Sequence, residues 1–253
     1  MATDQTVANA ESELVTQIRQ RAAAVRHRMD EAARAAGRDP ATVHLIAVTK
    51  FFPPEVAIAA CAAGLTELGE NRVQEMLAKQ DVLSEKGLKP NWHLIGTLQK
   101  NKVRHVIGRT ALIHSGEDLD LLREISRRSQ SASCVTKVLL QINPACEETK
   151  HGFRPDEFTL AAQEALMLPG LQIDGIMAMA PLLPDPSGTT PFFRMSAQLF
   201  ETLVDLHDRI CPGQPKPSVL SMGMSEDFTQ AITCGATHIR IGTAIFGPRP
   251  TVV

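Results

Sequence analysis

The sequence contains no tyrosine and one tryptophan in 253 residues. No phenol is therefore available as an acid or a base. Cysteine is sparse and unpaired: Cys61, Cys134, Cys146, Cys211 and Cys234 are odd in number and widely spaced, with no CxxC pair. That argues against a disulfide framework or a zinc site and fits reduced thiols. Long hydrophobic runs are missing too. The longest, Val56 to Leu65, includes Gly64 and is far short of the ~20 residues a membrane span needs. Met1 to Glu13 is polar and acidic, so no signal peptide and a cytoplasmic location are expected. There is no excess of either charge: Lys+Arg is 26 against Asp+Glu 28, a net charge of -2. A nucleic acid is not the expected partner, because such binding is driven by neutralising phosphates.

What is present is an ordinary globular composition, 43% hydrophobic and 21% charged, in a chain long enough to bury a large core. Residues 1–10 are expected as a tail. Leu14, Ile18, Ala22, Val25, Met29, Ala32 and Ala36 then recur at spacings of three and four. This predicts one long amphipathic helix, with Gly37 as its stop and Pro40 just beyond. Arg19, Arg21, Arg26, Arg28, Arg34 and Arg38 decorate it and are expected to form a solvated face.

From there short apolar or β-branched runs alternate with helical stretches. Strands are predicted at Val43–Thr49, Thr66–Gly69, Trp92–Ile95, Ala111–His114, Val135–Ile142, Leu171–Met177, Ser218–Ser221 and His238–Ile241. Helices are predicted at Pro54–Ala63, Arg72–Glu85, Asn101–Val106, Leu119–Ser131, Pro155–Leu168, Arg194–Asp208 and Phe228–Cys234. Eight strands with crossover helices imply α/β architecture and a parallel sheet, which closes naturally into a single (β/α)8 TIM barrel. An open doubly wound sheet is the alternative. It usually carries a Gly-rich turn after the first strand, where this chain has Thr49-Lys50-Phe51-Phe52-Pro53.

In such barrels the active face is the C-terminal end of the strands. Lys50 ends strand one behind the apolar run Leu45-Ile46-Ala47-Val48, and a partly desolvated ammonium loses proton affinity. That is what a Schiff-base lysine requires. Ser221-Met222-Gly223-Met224-Ser225 follows strand seven, and Arg240-Ile241-Gly242-Thr243 ends strand eight. Small residues let backbone N–H groups approach an anion, and the hydroxyls add donors, so the two loops together suggest a phosphate cradle. An imine-forming lysine and a phosphate cradle in one mouth suit pyridoxal phosphate or a Schiff-base aldolase acting on a sugar phosphate. Arg240 could face a pyridine nitrogen or add charge to the phosphate site. Lys100, Lys102, Arg104 and His105 follow strand three and could raise the local anion concentration. The Pro181–Pro191 loop opens toward the mouth as a lid candidate.

These blocks, with Gly69-Glu70-Asn71-Arg72-Val73-Gln74-Glu75, Trp92-His93-Leu94-Ile95-Gly96-Thr97 and Gly175-Ile176-Met177 in the same order, make the chain resemble the pyridoxal phosphate homeostasis protein family. The resemblance implies one barrel over 11–248, like the N-terminal domain of alanine racemase, with 249–253 as a second tail. It implies pyridoxal 5′-phosphate (PLP) held as an aldimine on Lys50. It further implies that Ser221, Met222, Gly223, Met224, Ser225, Gly242 and Thr243 hold the phosphate. Arg240 is then placed at the pyridine nitrogen, and Asn71 and Met177 along the ring. Lys150 matches a family lysine linked to secondary cofactor handling. No metal is implied.

The resemblance implies intracellular PLP buffering or carriage without robust turnover, serving PLP-dependent apoenzymes; a monomer is expected because no long coiled-coil heptads or exposed apolar repeats stand out. Its rival is an amino-acid racemase or another PLP enzyme of this fold. A two-base racemase needs a second acid or base opposite the lysine. Tyrosine is absent, so His93 and His114 are the substitutes to consider. A third reading is an interaction module in which Lys50 is incidental.

Overall fold

The predicted alternation becomes eight short strands in the computed structural model, which describes residues 2–248 and their side chains from residue 11. The order is α1 (Ala2–Ala35), β1 (His44–Val48), α2 (Pro54–Ala62), β2 (Glu67–Glu70), α3 (Val73–Glu85) and β3 (Asn91–Leu94). A 3-10 helix (Lys100–His105) leads to β4 (Leu112–Gly116), α4 (Leu119–Ser131), β5 (Thr136–Ile142), α5 (Phe158–Leu166) and β6 (Leu171–Ala178). The chain then forms α6 (Thr190–Ile210), β7 (Val219–Ser221), α7 (Phe228–Thr233), β8 (His238–Ile241) and α8 (Thr243–Phe246). Each strand pairs in parallel with the next, and β8 returns to β1 through Ile46 opposite Arg240. The sheet is therefore a closed barrel, which disposes of the open-sheet alternative.

Several boundaries shift for physical reasons. The helix α1 starts at Ala2 and takes in the residues expected as a tail, because no glycine or proline breaks the chain there. The segment expected as a helix at Asn101–Val106 is a tighter 3-10 turn instead. The helix α6 begins before Arg194 because Pro191 sits in its first turn, where its missing N–H costs nothing. Residues 249–253, expected as a second tail, lie outside the described residues. Among the described residues no helix is long and apolar enough to cross a membrane.

Most of the core lies between sheet and helices, with a separate apolar layer of Leu112, Leu139, Met177 and Val219. Alternation along the strands puts one set of side chains on each side of the barrel wall. The buried stripe of α1 (Ile18, Ala22, Val25, Met29 and Ala33) packs across α2, α7 and α8. Of the arginines around it, Arg19, Arg21, Arg26, Arg28 and Arg34 are exposed, as expected, and Arg38 is half-buried; three of them also bond backbone carbonyls. Arg19 donates to Ala62 O at 3.0 Å and Arg26 to Gly64 O at 3.4 Å, both at the end of α2. Arg38 donates to Ile232 O and Ala236 O, each at 2.8 Å, at the end of α7. Helix C-termini leave carbonyls without intrahelical partners, and guanidinium groups satisfy them here.

Candidate functional site

Lys50 leaves β1 at the C-terminal end of the barrel, and its backbone is held on both sides. The residue before it, Thr49, is fully buried. Its carbonyl accepts from Lys79 Nζ at 2.7 Å, and its hydroxyl donates to Glu70 Oε1 at 2.6 Å. Lys79 also bonds Glu70 Oε1, at 2.5 Å. Both charges of this pair are buried, whereas Glu70 Oε2 has no hydrogen-bond partner. Burial pushes the Glu70 carboxyl above its usual range, and the Lys79 and Thr49 hydrogen bonds pull it back only in part. The residue after it, Phe51, has φ 68°, uncommon for a bulky side chain, and its N–H donates to Glu75 Oε2 at 3.2 Å. The Lys50 ammonium lies 5.9 Å from the centre of the Phe51 ring.

Across the mouth, β7 and β8 each end in a loop of small residues. Gly223 has φ 92°, and a Cβ there would stand 2.7 Å from Ala231 Cβ and 2.9 Å from Phe228 Cα. Only glycine lets the loop run this close to α7. Asp227 accepts from Met224 N at 2.7 Å and fixes the outer part of the loop. On β8, Gly242 passes Val48 so closely that a Cβ would lie 3.3 Å from its carbonyl oxygen. Thr243 then opens α8 with no side chain capping it.

A cavity of about 710 Å³ opens between these elements. Of the sequence-predicted residues, Lys50, Asn71, Lys150, Met224, Ser225, Arg240, Gly242 and Thr243 line it. Ser221, Met222, Gly223 and Met177 do not. Gly223 lies behind the rim and accepts from Arg240 N through its carbonyl, at 3.1 Å. Met222 is buried in the core between sheet and helices. Ser221 is fully buried and acts on the cavity only through Arg240. Met177 packs in the apolar layer with Leu112, Leu139 and Val219. The strand β6 runs on to Ala178, and Met179 and Ala180 beyond it line the cavity instead.

Arg240 is a buried cation at the cavity floor. Nη1 donates to Ser221 Oγ at 2.7 Å and Nη2 to Ala178 O at 3.0 Å. Burial lowers its pKa to about 10, with Asp227 opposing, and it stays charged. His93 and His114 are not residues of the mouth. Both are buried within β3 and β4, with His93 Nδ1 2.9 Å from His114 Nε2, and neither lines the cavity.

The wall beside β5 is a loop tied down by amides. Asn143 donates to Glu147 O at 2.8 Å and to Lys150 O at 3.2 Å. Gln141 donates to His151 O at 2.9 Å. Lys150 therefore reaches the cavity with its ammonium 2.7 Å from Glu147 Oε1. Sequence reasoning missed Gln141, Thr149, His151 and Glu226 as lining residues, whereas Thr97 and Leu182 lie on loops expected at the mouth. Gln141 left a signal, as the one amide in the apolar run Val138-Leu139-Leu140-Gln141-Ile142. The basic cluster after β3 is partly spent locally: Lys100 pairs with Asp120 at 2.9 Å, and Lys102 reaches Gln74 at 3.2 Å.

The volume is in the range of small-molecule sites. A lysine amine, a buried guanidinium and two close-approach loops bearing Ser225 and Thr243 open into one space. This donor set fits a flat, partly apolar carbonyl compound with an anionic tail, and so fits a pyridoxal phosphate.

Comparison with known proteins agrees with this geometry. The alanine racemase N-terminal domain family matches residues 21–250. A pyridoxal phosphate homeostasis protein of Pseudomonas aeruginosa is 40% identical over 228 residues, covering 90% of this chain and 94% of its own. That of Aquifex aeolicus is 38% identical over 230 residues, covering 91% and 97%. Among solved structures, PipY of Synechococcus elongatus with PLP bound is 32% identical with a TM-score of 0.76, covering 91% of this chain and 100% of that one. Alanine racemase from Corynebacterium glutamicum, 15% identical with a TM-score of 0.63, covers 90% of this chain and 62% of that one; it shares the fold alone. With a closed barrel, a lysine and an arginine facing one cavity, and relatives matched over nearly their whole length, the chain belongs to the pyridoxal phosphate homeostasis protein family.

Proposed function

We propose that this protein binds pyridoxal 5′-phosphate at the mouth of the barrel and buffers or carries it inside the cell. The observation that carries the reading is that Lys50, Arg240 and the Ser225 and Thr243 loops line a single cavity. When bound, the cofactor supplies an aldehyde that condenses with an amine, and a phosphate that prefers N–H and hydroxyl donors. Lys50 is the amine, presented by a backbone that Lys79 and Glu75 hold in place. Ser225, Thr243 and the first turn of α8 receive the phosphate, with Gly223 and Gly242 allowing close approach. Arg240 faces the ring, and its fixed charge opposes protonation of a pyridine nitrogen beside it. A ring left neutral is a weaker electron sink, which favours holding over carbanion chemistry.

Further support for storage over turnover is that neither a tyrosine nor His93 or His114 stands opposite Lys50 as a second acid or base. Tyrosine is absent from the sequence, and His93 and His114 are bonded to each other below the cavity. The relatives carry the homeostasis name. The reading has a monomer working in the cytoplasm, with apoenzymes as recipients. Lys150, on a tethered loop at the rim, is placed to meet cofactor entering or leaving.

The test is the absorbance spectrum of the protein with PLP, followed by borohydride reduction and peptide mapping. A pyridoxyl mass on the Lys50 peptide, absent in Lys50→Ala, is expected. A colourless protein, or an adduct unchanged in Lys50→Ala, overturns the reading. So does robust turnover of single-enantiomer amino acids.

A further inference from the structure

Below the cavity runs a row of buried polar groups that the proposed function leaves unused. It starts at Arg240, whose Nη1 is 2.7 Å from Ser221 Oγ. Ser221 Oγ is 3.1 Å from His114 Nδ1, and His114 Nε2 is 2.9 Å from His93 Nδ1. His93 Nε2 is 2.7 Å from Glu67 Oε2. Glu67 opens β2 and is only partly buried, so the row spans from one end of the barrel to the other.

With one proton on each imidazole, the acceptor-only Glu67 carboxylate and the donor-only Arg240 guanidinium set the order of the protons between them. A guanidinium can only donate, so Ser221 Oγ accepts from Arg240. The single hydroxyl proton of Ser221 is then given to His114 Nδ1, and His114 carries its own proton on Nε2. His93 receives that proton's hydrogen bond at Nδ1 and carries its own on Nε2, which points at the Glu67 carboxylate. A carboxylate can only accept, so the order closes without conflict. Both imidazoles hold one proton in this arrangement. Two further observations agree. Burial holds the His114 pKa well below its usual value, helped by repulsion from His93 and Arg240. Burial pushes the Glu67 carboxyl up, but hydrogen bonds from His93 and Asn91 outweigh it and leave the group below its usual range. The remaining titratable neighbours are Asp227, which faces Arg240, and His238, whose ring lies 4.8 Å from that of His44.

We propose that Glu67, His93, His114 and Ser221 are positioning residues for Arg240. They form a chain of one-way hydrogen bonds that fixes the guanidinium at the cavity floor from the far end of the barrel. A carboxylate remote from the ligand thereby sets the geometry of the arginine. The contribution to PLP binding rests on the function proposed above; the proton order does not.

The experiment is nitrogen-detected imidazole NMR on the ligand-free full chain, with equilibrium dialysis against PLP alongside. In the wild type, His93 and His114 are both expected as the Nε2–H form. In Glu67→Leu the Nε2–H of His93 loses its acceptor. Its tautomer becomes mixed, and His114, which does not touch residue 67, follows. Glu67→Gln keeps an acceptor and restores the wild-type pattern. Dialysis should show PLP binding weakened roughly five- to tenfold in Glu67→Leu, the worth of about one hydrogen bond, and recovered in Glu67→Gln. An Nδ1–H form of His114 in the wild type, or a His114 signal unmoved in Glu67→Leu, overturns the chain. Unchanged PLP binding in Glu67→Leu overturns the positioning role while the storage function stands. Wild-type protein that binds no PLP defeats the storage function and leaves the proton order to the NMR result.

Discussion

The Lys79 ammonium lies 2.5 Å from Glu70 Oε1 and 2.7 Å from the carbonyl oxygen of Thr49, the residue before Lys50. A cation on α3 thus secures both a buried carboxylate and the strand exit that carries Lys50. Removing one member of a buried pair leaves the other charge uncompensated, at a cost of about 3–5 kcal/mol. Lys79→Met should lower unfolding stability by about that amount in urea titrations. Lys79→Met with Glu70→Gln should recover much of it. If the single variant loses under ~1 kcal/mol, the pair does not carry the load assigned to it here.

Acid should destabilise the fold earlier than carboxylate titration alone predicts. Burial lowers the His238 pKa from 6.5 to about 3, with repulsion from His44 and His93 adding to it. His114 is lowered in the same direction. Between the unfolded and folded values the unfolded chain binds more protons, so stability is full above the unfolded value and falls as pH drops below it. Each group contributes about 1.4 kcal/mol per pH unit through that window. Thermal midpoints measured from pH 7.5 down to 4.5 should decline, and the decline should shrink in His238→Asn. A midpoint flat across this range contradicts the burial argument.

The close approach at Gly223 makes a single methyl group costly. Gly223→Ala forces a side chain onto a φ of 92° and within 2.7 Å of Ala231 Cβ. A loss of about 1–3 kcal/mol is expected, with weaker PLP retention in dialysis because the loop that carries Ser225 must shift. An unaltered affinity would show that this loop takes no part in holding the phosphate.

Arg38 ties the end of α7 to the start of the barrel wall. Arg38→Met keeps much of the apolar stem and removes the two hydrogen bonds to Ile232 O and Ala236 O. Stability should fall by about 1–3 kcal/mol, while the Lys50 adduct still forms on reduction.

The barrel was readable because its information is local. Each strand is a short run of apolar or β-branched residues, and each crossover carries helical periodicity. The place of Lys50 at the mouth was readable because it stands two residues beyond the apolar run Leu45-Ile46-Ala47-Val48 that forms the end of β1. What was hidden depends on pairing across the barrel. The strand β6 runs one residue past Met177, to Ala178, and Met179 rather than Met177 then lines the cavity. Lys79 looks like any lysine on an exposed helix face; only the fold brings it against Glu70 and Thr49. His93 and His114 sit 21 residues apart, and nothing in either segment announces that their rings meet. The bonds that Arg19, Arg26 and Arg38 make to helix ends were hidden because their partners are backbone carbonyls, which every residue has.

The closure of β8 onto β1 has a consequence for meetings with other proteins. Every strand has a neighbour on each side, so no row of backbone N–H and C=O groups is left at a border for a foreign strand to extend. An encounter with another protein is therefore made through side chains and loops, without a strand added to the sheet.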